Sequence, residues 1–206
     1  LLFIIFLSGV WLLNVFNFID GADGLLAINS IIIAMAIGIY CFLENQIFLT
    51  LALFNLVLIL SAFLAFNWHP SKILMGDSGS LFLGSLFLIL IFYLISQQIL
   101  NLTTIFIVFS LMIVETSCTL FVRIFRKENF LSGRHDLHAY QQLAKRPGGG
   151  SLPAKISVVI AVFWLAPLSA LSYIYEEFWL EILLIDVIPL SLLCYIYGPY
   201  ISLKEK

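Results

Sequence analysis

Seven long runs of apolar side chains dominate this sequence and restrict its fold more than any other feature. The runs lie near residues 1–18, 25–43, 47–66, 80–96, 102–123, 154–174 and 179–200. A helix needs about 20 apolar residues to cross the hydrocarbon core of a bilayer. The chain of 206 residues is 62% hydrophobic and only 11% charged, which excludes an ordinary soluble domain. The sequence therefore predicts an all-α, polytopic transmembrane helix bundle with about seven spans, forming a single domain over residues 1–206.

The basic residues predict the orientation of these spans. If Asp20 lies inside, all ten Lys and Arg residues fall on the inner side, as expected for loops that stay in the cytoplasm. The other side receives only the short connections 43–46, 96–102 and 175–177, which carry no base. We therefore expect a cytoplasmic face that includes a long loop over residues 124–153.

Other general features of the chain add little. The sequence begins without Met, and LLFIIFLSGVWLL lacks the charged segment and cleavage site of a signal peptide. We interpret it as a span inside a longer protein, so that the chain is truncated at its N-terminus. Cys41, Cys118 and Cys194 are isolated in apolar runs and are interpreted as packing residues. The net charge of -2 gives no reason to expect a nucleic-acid partner.

The first polar cluster lies in NVFNFIDGADGLLA, residues 14–27. Its members are three residues apart: Asn14, Asn17, Asp20 and Asp23. At this spacing, the first three can share one face of a helix that is leaving the bilayer. A glycine follows each aspartate and permits a sharp turn or a close approach to a ligand. Capping of the next helix is the alternative, but one residue would satisfy it, so the pattern favours a functional site.

The second polar cluster lies in NWHPSKILMGDSGSLFLGSLF, residues 67–87. Asp77 is flanked by glycines and serines directly before the fourth apolar run. Backbone N–H groups at such a helix start favour phosphate, while the carboxylate can hold a hard cation. Alternatively, Asp77 or Ser78 is simply the helix cap. Lys72 could neutralise phosphate, although a lysine beside a span is more often a topology determinant.

The third polar cluster lies in RIFRKENFLSGRHDLHAYQQLAKR, residues 123–146. His135 and His138 are three residues apart, with Arg134 and Tyr140 close by. This set suits a diphosphate better than zinc, because a structural zinc site needs four ligands. The other basic residues of the loop are interpreted as a solvated charge run facing lipid headgroups.

Three further features lie outside these clusters. Glu115 is within the fifth run and is a functional candidate by its position, or else it pairs with Thr119 or with an amide on another helix. Asp186 is expected at the outer rim of the last span. RPGGGSLP, residues 146–153, lacks the order of a phosphate loop and is interpreted as a flexible hinge.

Together, the three clusters resemble the motifs of the polyprenyl-phosphate N-acetylhexosamine-1-phosphate transferases, the bacterial branch of glycosyltransferase family 4, and their muramoyl-pentapeptide transferase relatives. NVFNFIDGADGLLA resembles the family's NxxNxxDGxDGLA, and FNWHPSKILMGDSGSLFLG resembles NxxPAxxFMGDxGSxxLG. HDLHAYQQL resembles the histidine loop HxxHxYQxL. The motifs occur in the family's order and cover the chain from Leu1 to about Leu143.

The resemblance implies a membrane enzyme of the bacterial inner membrane with a cytoplasmic active site. Undecaprenyl phosphate would attack the sugar-bearing phosphorus of a UDP-N-acetylaminosugar and release UMP, which starts O-antigen or another surface glycan. Magnesium, or manganese in its place, would bridge diphosphate oxygens. The sequence leaves the oligomeric state open, a homodimer included.

The resemblance also assigns roles to residues. It implies a metal site at Asp77 and Asn17. The catalytic residues would be Asp20, Asp23, Asp77, His135 and His138. The substrate-binding residues would be Asn14, Asn17, Lys72, Ser78, Arg134, Tyr140 and Glu115.

The chain departs from the family pattern at three places. The family's Asp-Asp motif precedes the region that this chain covers. Glu115 stands where many members have Asp, and Arg134 precedes His135 where many members have an Arg after the histidine. The paired histidines also look less like the triple-histidine muramoyl-pentapeptide branch, which favours a UDP-N-acetylaminosugar donor.

Two other functions compete with the transferase. A lipid transporter or flippase predicts polar residues that continue across the bilayer, whereas the outer halves of these spans read as nearly bare hydrocarbon. A catalytically inactive membrane scaffold would retain the motifs without the chemistry.

Overall fold

The computed structural model describes residues 2–125 and 138–200. Its α-helices are α1 (Leu2–Ile19), α2 (Leu25–Leu43), α3 (Ile47–Asn67), α4 (Gly76–Ser96), α5 (Leu102–Phe125), α6 (Ala139–Ala144), α7 (Leu152–Ile160), α8 (Ala166–Ile174) and α9 (Trp179–Tyr195). A π-helical turn, Ala161–Leu165, joins α7 to α8 in one continuous span. In the described parts of the chain, seven helical stretches are long and apolar enough to cross a membrane. The predicted all-α bundle is confirmed.

The start of the fourth span differs from the prediction. The fourth span begins at Gly76 rather than near residue 80, because its first turn is polar but still helical. Met75 precedes this helix and Gly24 precedes α2, and neither makes a side-chain capping bond. The alternative in which the aspartates merely cap these helices is therefore wrong.

Helix packing brings the polar helix ends together. The helix α1 packs along α4, α2 along α3, and α5 against α8 and α9. The buried rings of Phe16, Phe87 and Phe109 join α1, α4 and α5, with ring centroids 5.5–6.4 Å apart. Burial of such side chains stabilises the bundle interior and fixes the relative height of the helices. As a result, the last turn of α1 lies beside the first turn of α4.

Polar side chains also link the sixth span to its neighbours. The hydrogen-bonded pairs are Asn29 with Ser157 at 3.3 Å, Tyr40 with Ser169 at 2.8 Å, and Thr104 with Ser172 at 3.0 Å. The last two pairs lie in the half of the bundle opposite the polar clusters, so the expectation of bare hydrocarbon there is wrong. Polar pairs of this kind hold transmembrane helices together.

Asp186 is likewise not at the rim of the last span. Its side chain is 0% exposed, and the polar side chains that face it are Ser110 of α5 and Trp164 of the π-helical turn. The hydropathy of α9 identifies a span, but it does not fix which face of the helix points inward. The sequence-based placement of Asp186 is therefore corrected to the bundle interior.

Candidate active site

Asn17 connects the first polar cluster to the second. Its Nδ2 donates to Asp77 Oδ1 at 3.1 Å and to Ser80 Oγ at 3.3 Å. Ser80 is fully buried, whereas Asp77 is exposed at the start of α4. The two motifs, 60 residues apart in the chain, thus meet at one surface.

Asp20 completes this meeting point. It follows α1 directly, and the backbone N–H of Gly76 lies near its carboxylate. Burial raises the pKa of Asp20, and the nearby charge of Asp77 raises it further, while the Gly76 N–H opposes both. Two carboxylates therefore lie close enough to repel each other, which favours a bound cation.

The donor set formed by Asn17, Asp20 and Asp77 fits a magnesium ion. Within residues 2–125 and 138–200, no group of three or more His, Cys, Asp or Glu could form a metal cage. Magnesium does not need one, because it keeps several waters and binds one or two carboxylates together with substrate phosphates. The amide oxygen of Asn17 is an additional candidate ligand, since its Nδ2 makes the contact with Asp77.

Asp23 lies only three residues from Asp20 but has a different environment. His69 Nδ1 lies 2.7 Å from Asp23 Oδ2, and Ser71 donates its hydroxyl to Oδ1 at 2.8 Å and its backbone N–H to Oδ2 at 3.2 Å. Burial acts to raise the pKa of Asp23, but the hydrogen bonds from Ser71 and His69 outweigh it and lower the pKa below its usual value. Its charge is thus already matched by protein groups.

Asn67 fixes the segment that carries His69 and Ser71. Its Oδ1 accepts the backbone N–H of Gly24 at 3.1 Å, and its Nδ2 donates to the carbonyl of Ile73 at 2.8 Å. The side chain is buried, so both polar atoms must be satisfied by protein groups. This asparagine therefore ties the first motif to the second through the backbone.

The third cluster contributes a buried pair, Glu115 with His138. His138 Nδ1 lies 2.9 and 3.2 Å from the two carboxylate oxygens, and the backbone N–H of Ala139 donates to Oε1 at 2.9 Å. The side chains are 8% and 10% exposed. Thr119 donates to the backbone carbonyl of Glu115, not to its carboxylate, so neither pairing expected for Glu115 is formed. The carboxylate orients His138 at the start of α6.

Tyr140 connects α6 to the first motif. Its hydroxyl donates to the carbonyl of Phe18 at 2.5 Å. The phenol also lies against the Cα of Gly21, where any Cβ would overlap it. Burial raises the pKa of Tyr140, and the charge of Glu115 adds to this effect. The phenol therefore remains a neutral hydrogen-bond donor that holds α6 against the end of α1.

The remaining predicted site residues lie in different settings. Asn14 donates to the carbonyl of Val10 within its own helix at 2.8 Å and does not join the Asn17 contacts. Lys72 and Ser78 are exposed at the same end of the bundle. His135 and Arg134 lie outside the described residues.

Sequence reasoning missed His69 as a member of this site. It stands inside the second motif, beside a proline, and sequence reasoning gave it no role of its own within that motif. The sequence did contain a clue to this role. A magnesium site needs only one or two carboxylates, so Asp23, the third at this site, predicts a partner of its own.

Comparison with known proteins gives matches over the first part of the chain. The family model described as Glycosyl transferase family 4 matches residues 1–95. The phospho-N-acetylmuramoyl-pentapeptide-transferase of Streptococcus pneumoniae (strain Taiwan19F-14) is 36% identical over 88 residues, which is 41% of this chain and 27% of that protein. The protein of the same name from Listeria innocua serovar 6a is 42% identical over 85 residues, 40% of this chain and 26% of that protein.

These matches span only about a quarter of the length of the curated relatives. No solved structure matches the chain. The matched residues include both aspartate motifs, whose side chains meet in the structure. The resemblance is therefore confirmed: the match of residues 1–95 to glycosyl transferase family 4, with the similarity to phospho-N-acetylmuramoyl-pentapeptide-transferases, supports the polyprenyl-phosphate sugar-1-phosphate transferase family.

Proposed function

We propose that this chain is part of a bacterial inner-membrane transferase whose site faces the cytoplasm. It moves N-acetylaminosugar-1-phosphate from a UDP-sugar to undecaprenyl phosphate and so starts O-antigen or another surface glycan. The observation that carries the proposal is the contact of Asn17 with Asp77, with Asp20 alongside. It joins two family motifs into a site suited to a diphosphate and a divalent cation.

The reaction exchanges one phosphorus–oxygen bond for another. An oxygen of the lipid phosphate attacks the phosphorus that bears the sugar, and the bond from that phosphorus to the UMP oxygen breaks. UMP leaves with the electron pair of this bond, and the products are undecaprenyl-diphospho-sugar and UMP. Magnesium, or manganese, supplies charge neutralisation for the diphosphate when it is bound at Asp77, Asn17 and Asp20.

The other residues bind and orient the substrates. His138, which Glu115 holds at the start of α6, contacts the donor phosphate. Lys72 and Ser78 are both exposed, and they add a charge and a hydroxyl for the donor. Asp23 and Tyr140 hold the loops in place, since their polar atoms already have protein partners.

The test is an assay of UMP release by the full-length protein that contains this chain, expressed in membranes. Each member of a panel of UDP-N-acetylaminosugars is supplied with and without undecaprenyl phosphate and magnesium. We expect release only when lipid phosphate and magnesium are both present, and the reactive donor identifies the aminosugar. The variant Glu181→Gln, which changes an exposed carboxylate of α9, is the matched control and should retain full activity.

Two results would contradict the proposal. Folded protein that releases no UMP from any donor would favour the inactive scaffold. Movement of undecaprenyl phosphate between leaflets without UMP release would favour the flippase.

A further inference from the structure

His69 lies where three distant segments of the chain meet. On one side, its Nδ1 contacts Asp23 in the turn formed by residues 20–24, which we name the aspartate turn. On the other side, the ring lies against the backbone of Gly150, so closely that any Cβ there would overlap Nε2, Cε1 and Cδ2. Gly150 belongs to the turn formed by residues 146–150, which we name the glycine turn. The imidazole of His69 thus lies between these two turns and contacts both.

The glycine turn is a defined structure rather than the flexible hinge expected from its composition. The backbone N–H of Gly149 donates to the carbonyl of Arg146 at 2.7 Å, and that of Leu152 donates to the carbonyl of Gly149 at 2.9 Å. The N–H of Arg146 in turn donates to the carbonyl of Leu143, in the last turn of α6, at 3.3 Å. Hydrogen bonds therefore run continuously from α6 through the glycine turn to α7.

Side-chain contacts hold the start of the short helix α6. His138 pairs with Glu115, and Tyr140 donates to the carbonyl of Phe18. Toward its end, α6 packs against α7 and the segment Ile196–Tyr200, and Arg146 lies over the ring of Tyr197 at 5.6 Å. The contact of His69 with Gly150 adds an attachment of this end to the segment that carries His69 and, through Asp23, to the aspartate turn.

The geometry points to His69 as a positioning residue that fixes α6 against the aspartate turn by holding the glycine turn. This inference rests on the proposed function, because His138, which is proposed to contact the donor phosphate, directly precedes α6. His69 itself touches no reacting atom in this account. Its effect on turnover comes from the distance between His138 and the Asp20–Asp77 pair.

A double-mutant cycle tests the contact directly. Gly150 does not have a positive φ, and the three atoms nearest to an added Cβ all belong to the His69 ring, so Gly150→Ala probes this contact. We expect His69→Ala and Gly150→Ala each to lower kcat/KM for the UDP-sugar between about 10- and 100-fold, the cost of a displacement of about an ångström. In the His69→Ala background, Gly150→Ala should add no further loss. Additive losses would overturn the inference, because the free-energy effects of mutations add at independent sites but not at residues in contact.

Two replacements separate the two contacts of the ring. The side chain of Asn places an N–H where His69 has Nδ1 and can keep the contact with Asp23, but it has no ring to meet Gly150. His69→Asn should therefore behave like His69→Ala, with a higher KM for the UDP-sugar and an unchanged KM for undecaprenyl phosphate. Wild-type values for His69→Asn would mean that the contact with Asp23 alone accounts for the effect of His69 on turnover. The link to the glycine turn would then be rejected.

A second measurement does not depend on activity. Trypsin cleaves after Lys145 but not after Arg146, because Pro147 follows that residue. In detergent, His69→Ala and Gly150→Ala should each accelerate cleavage after Lys145 several-fold relative to cleavage after Lys155, an exposed lysine of α7.

These readouts distinguish failure of this inference from failure of the proposed function. Inactive wild-type protein with accelerated cleavage in both variants would reject the transferase and retain the link between the turns. Active wild-type protein with unchanged cleavage in both variants would reject the link alone.

Discussion

The carboxylates at the site fall into two groups that differ in their partners. Asp23 and Glu115 each lie against an imidazole Nδ1, at 2.7 and 2.9 Å. Asp20 and Asp77 instead lie near each other, and across residues 2–125 and 138–200 no ion pair is found for either. A carboxylate matched by an imidazole gains little from a metal ion, whereas two neighbouring carboxylates gain relief of their repulsion. The contrast supports the proposal that the first group holds the site together and that the second binds a cation.

The largest effect is expected for Asp77→Asn. This change removes one of the two neighbouring charges, Asp20 and Asp77, and leaves the shape of the side chain almost unchanged. Loss of several kcal/mol of charge stabilisation should lower magnesium-dependent UMP release by about 100-fold or more. Membrane insertion should be normal, as checked by extraction and gel filtration in detergent. Wild-type turnover in this variant would remove Asp77 from the metal site.

The next effect is expected for Glu115→Ala, which breaks the buried pair. Removal of one partner leaves His138 and the N–H of Ala139 buried without their acceptor. Leaving a buried donor without its acceptor costs about 1–3 kcal/mol, so the melting temperature in detergent should fall clearly. Glu115→Gln retains an acceptor and should lose less. Equal melting temperatures for wild type and Glu115→Ala would refute a supporting role for this pair.

A smaller effect is expected for Asp23→Asn, which breaks the pair near the surface. The side chains of His69 and Asp23 are 47% and 25% exposed, so water replaces much of the lost interaction. Exposed pairs contribute less than about 1 kcal/mol, and denaturant titration in detergent measures the difference. A loss as large as that of Glu115→Ala would break the distinction between the exposed and buried pairs.

The smallest effect is expected from acid. Because protein contacts hold the pKa of Asp23 below its usual 3.8, its contribution to stability is present above that value. The contribution is lost as the pH falls through the lower folded-state pKa. Asp23→Asn should therefore lose less stability than wild type on acidification below about pH 4, as followed by thermal melting. Parallel loss in both proteins would contradict a lowered pKa for Asp23.

Hydropathy and motif order predicted much of this structure. The seven spans follow from the apolar runs, and the meeting of Asn17 with Asp77 follows from two motifs at the same end of the bundle. Polar residues in the first turn of α4 hid its true start, because hydropathy falls there while the helix continues. The early start places Asp77 inside a helical turn that faces α1.

Helix rotation and loop contacts could not be predicted in the same way. A uniformly apolar span does not specify its inward face, and Asp186 was therefore placed at the rim although its side chain faces the bundle interior. The partners of Glu115 and Asp23 come from segments 23 and 46 residues away, across loops whose paths no local pattern fixes. Both partners are histidines, whose side chains suit catalysis and structural pairing equally well.

The most direct measurement of the central contrast is manganese binding, followed by electron paramagnetic resonance on the full-length protein in detergent. Manganese replaces magnesium at oxygen sites and reports binding without turnover. We predict that Asp77→Asn and Asp20→Asn lose the bound-manganese signal, whereas Asp23→Asn retains the wild-type affinity. Equal affinity in Asp77→Asn and wild type, or loss of binding in Asp23→Asn alone, would contradict the assignment of the cation to the unmatched carboxylates.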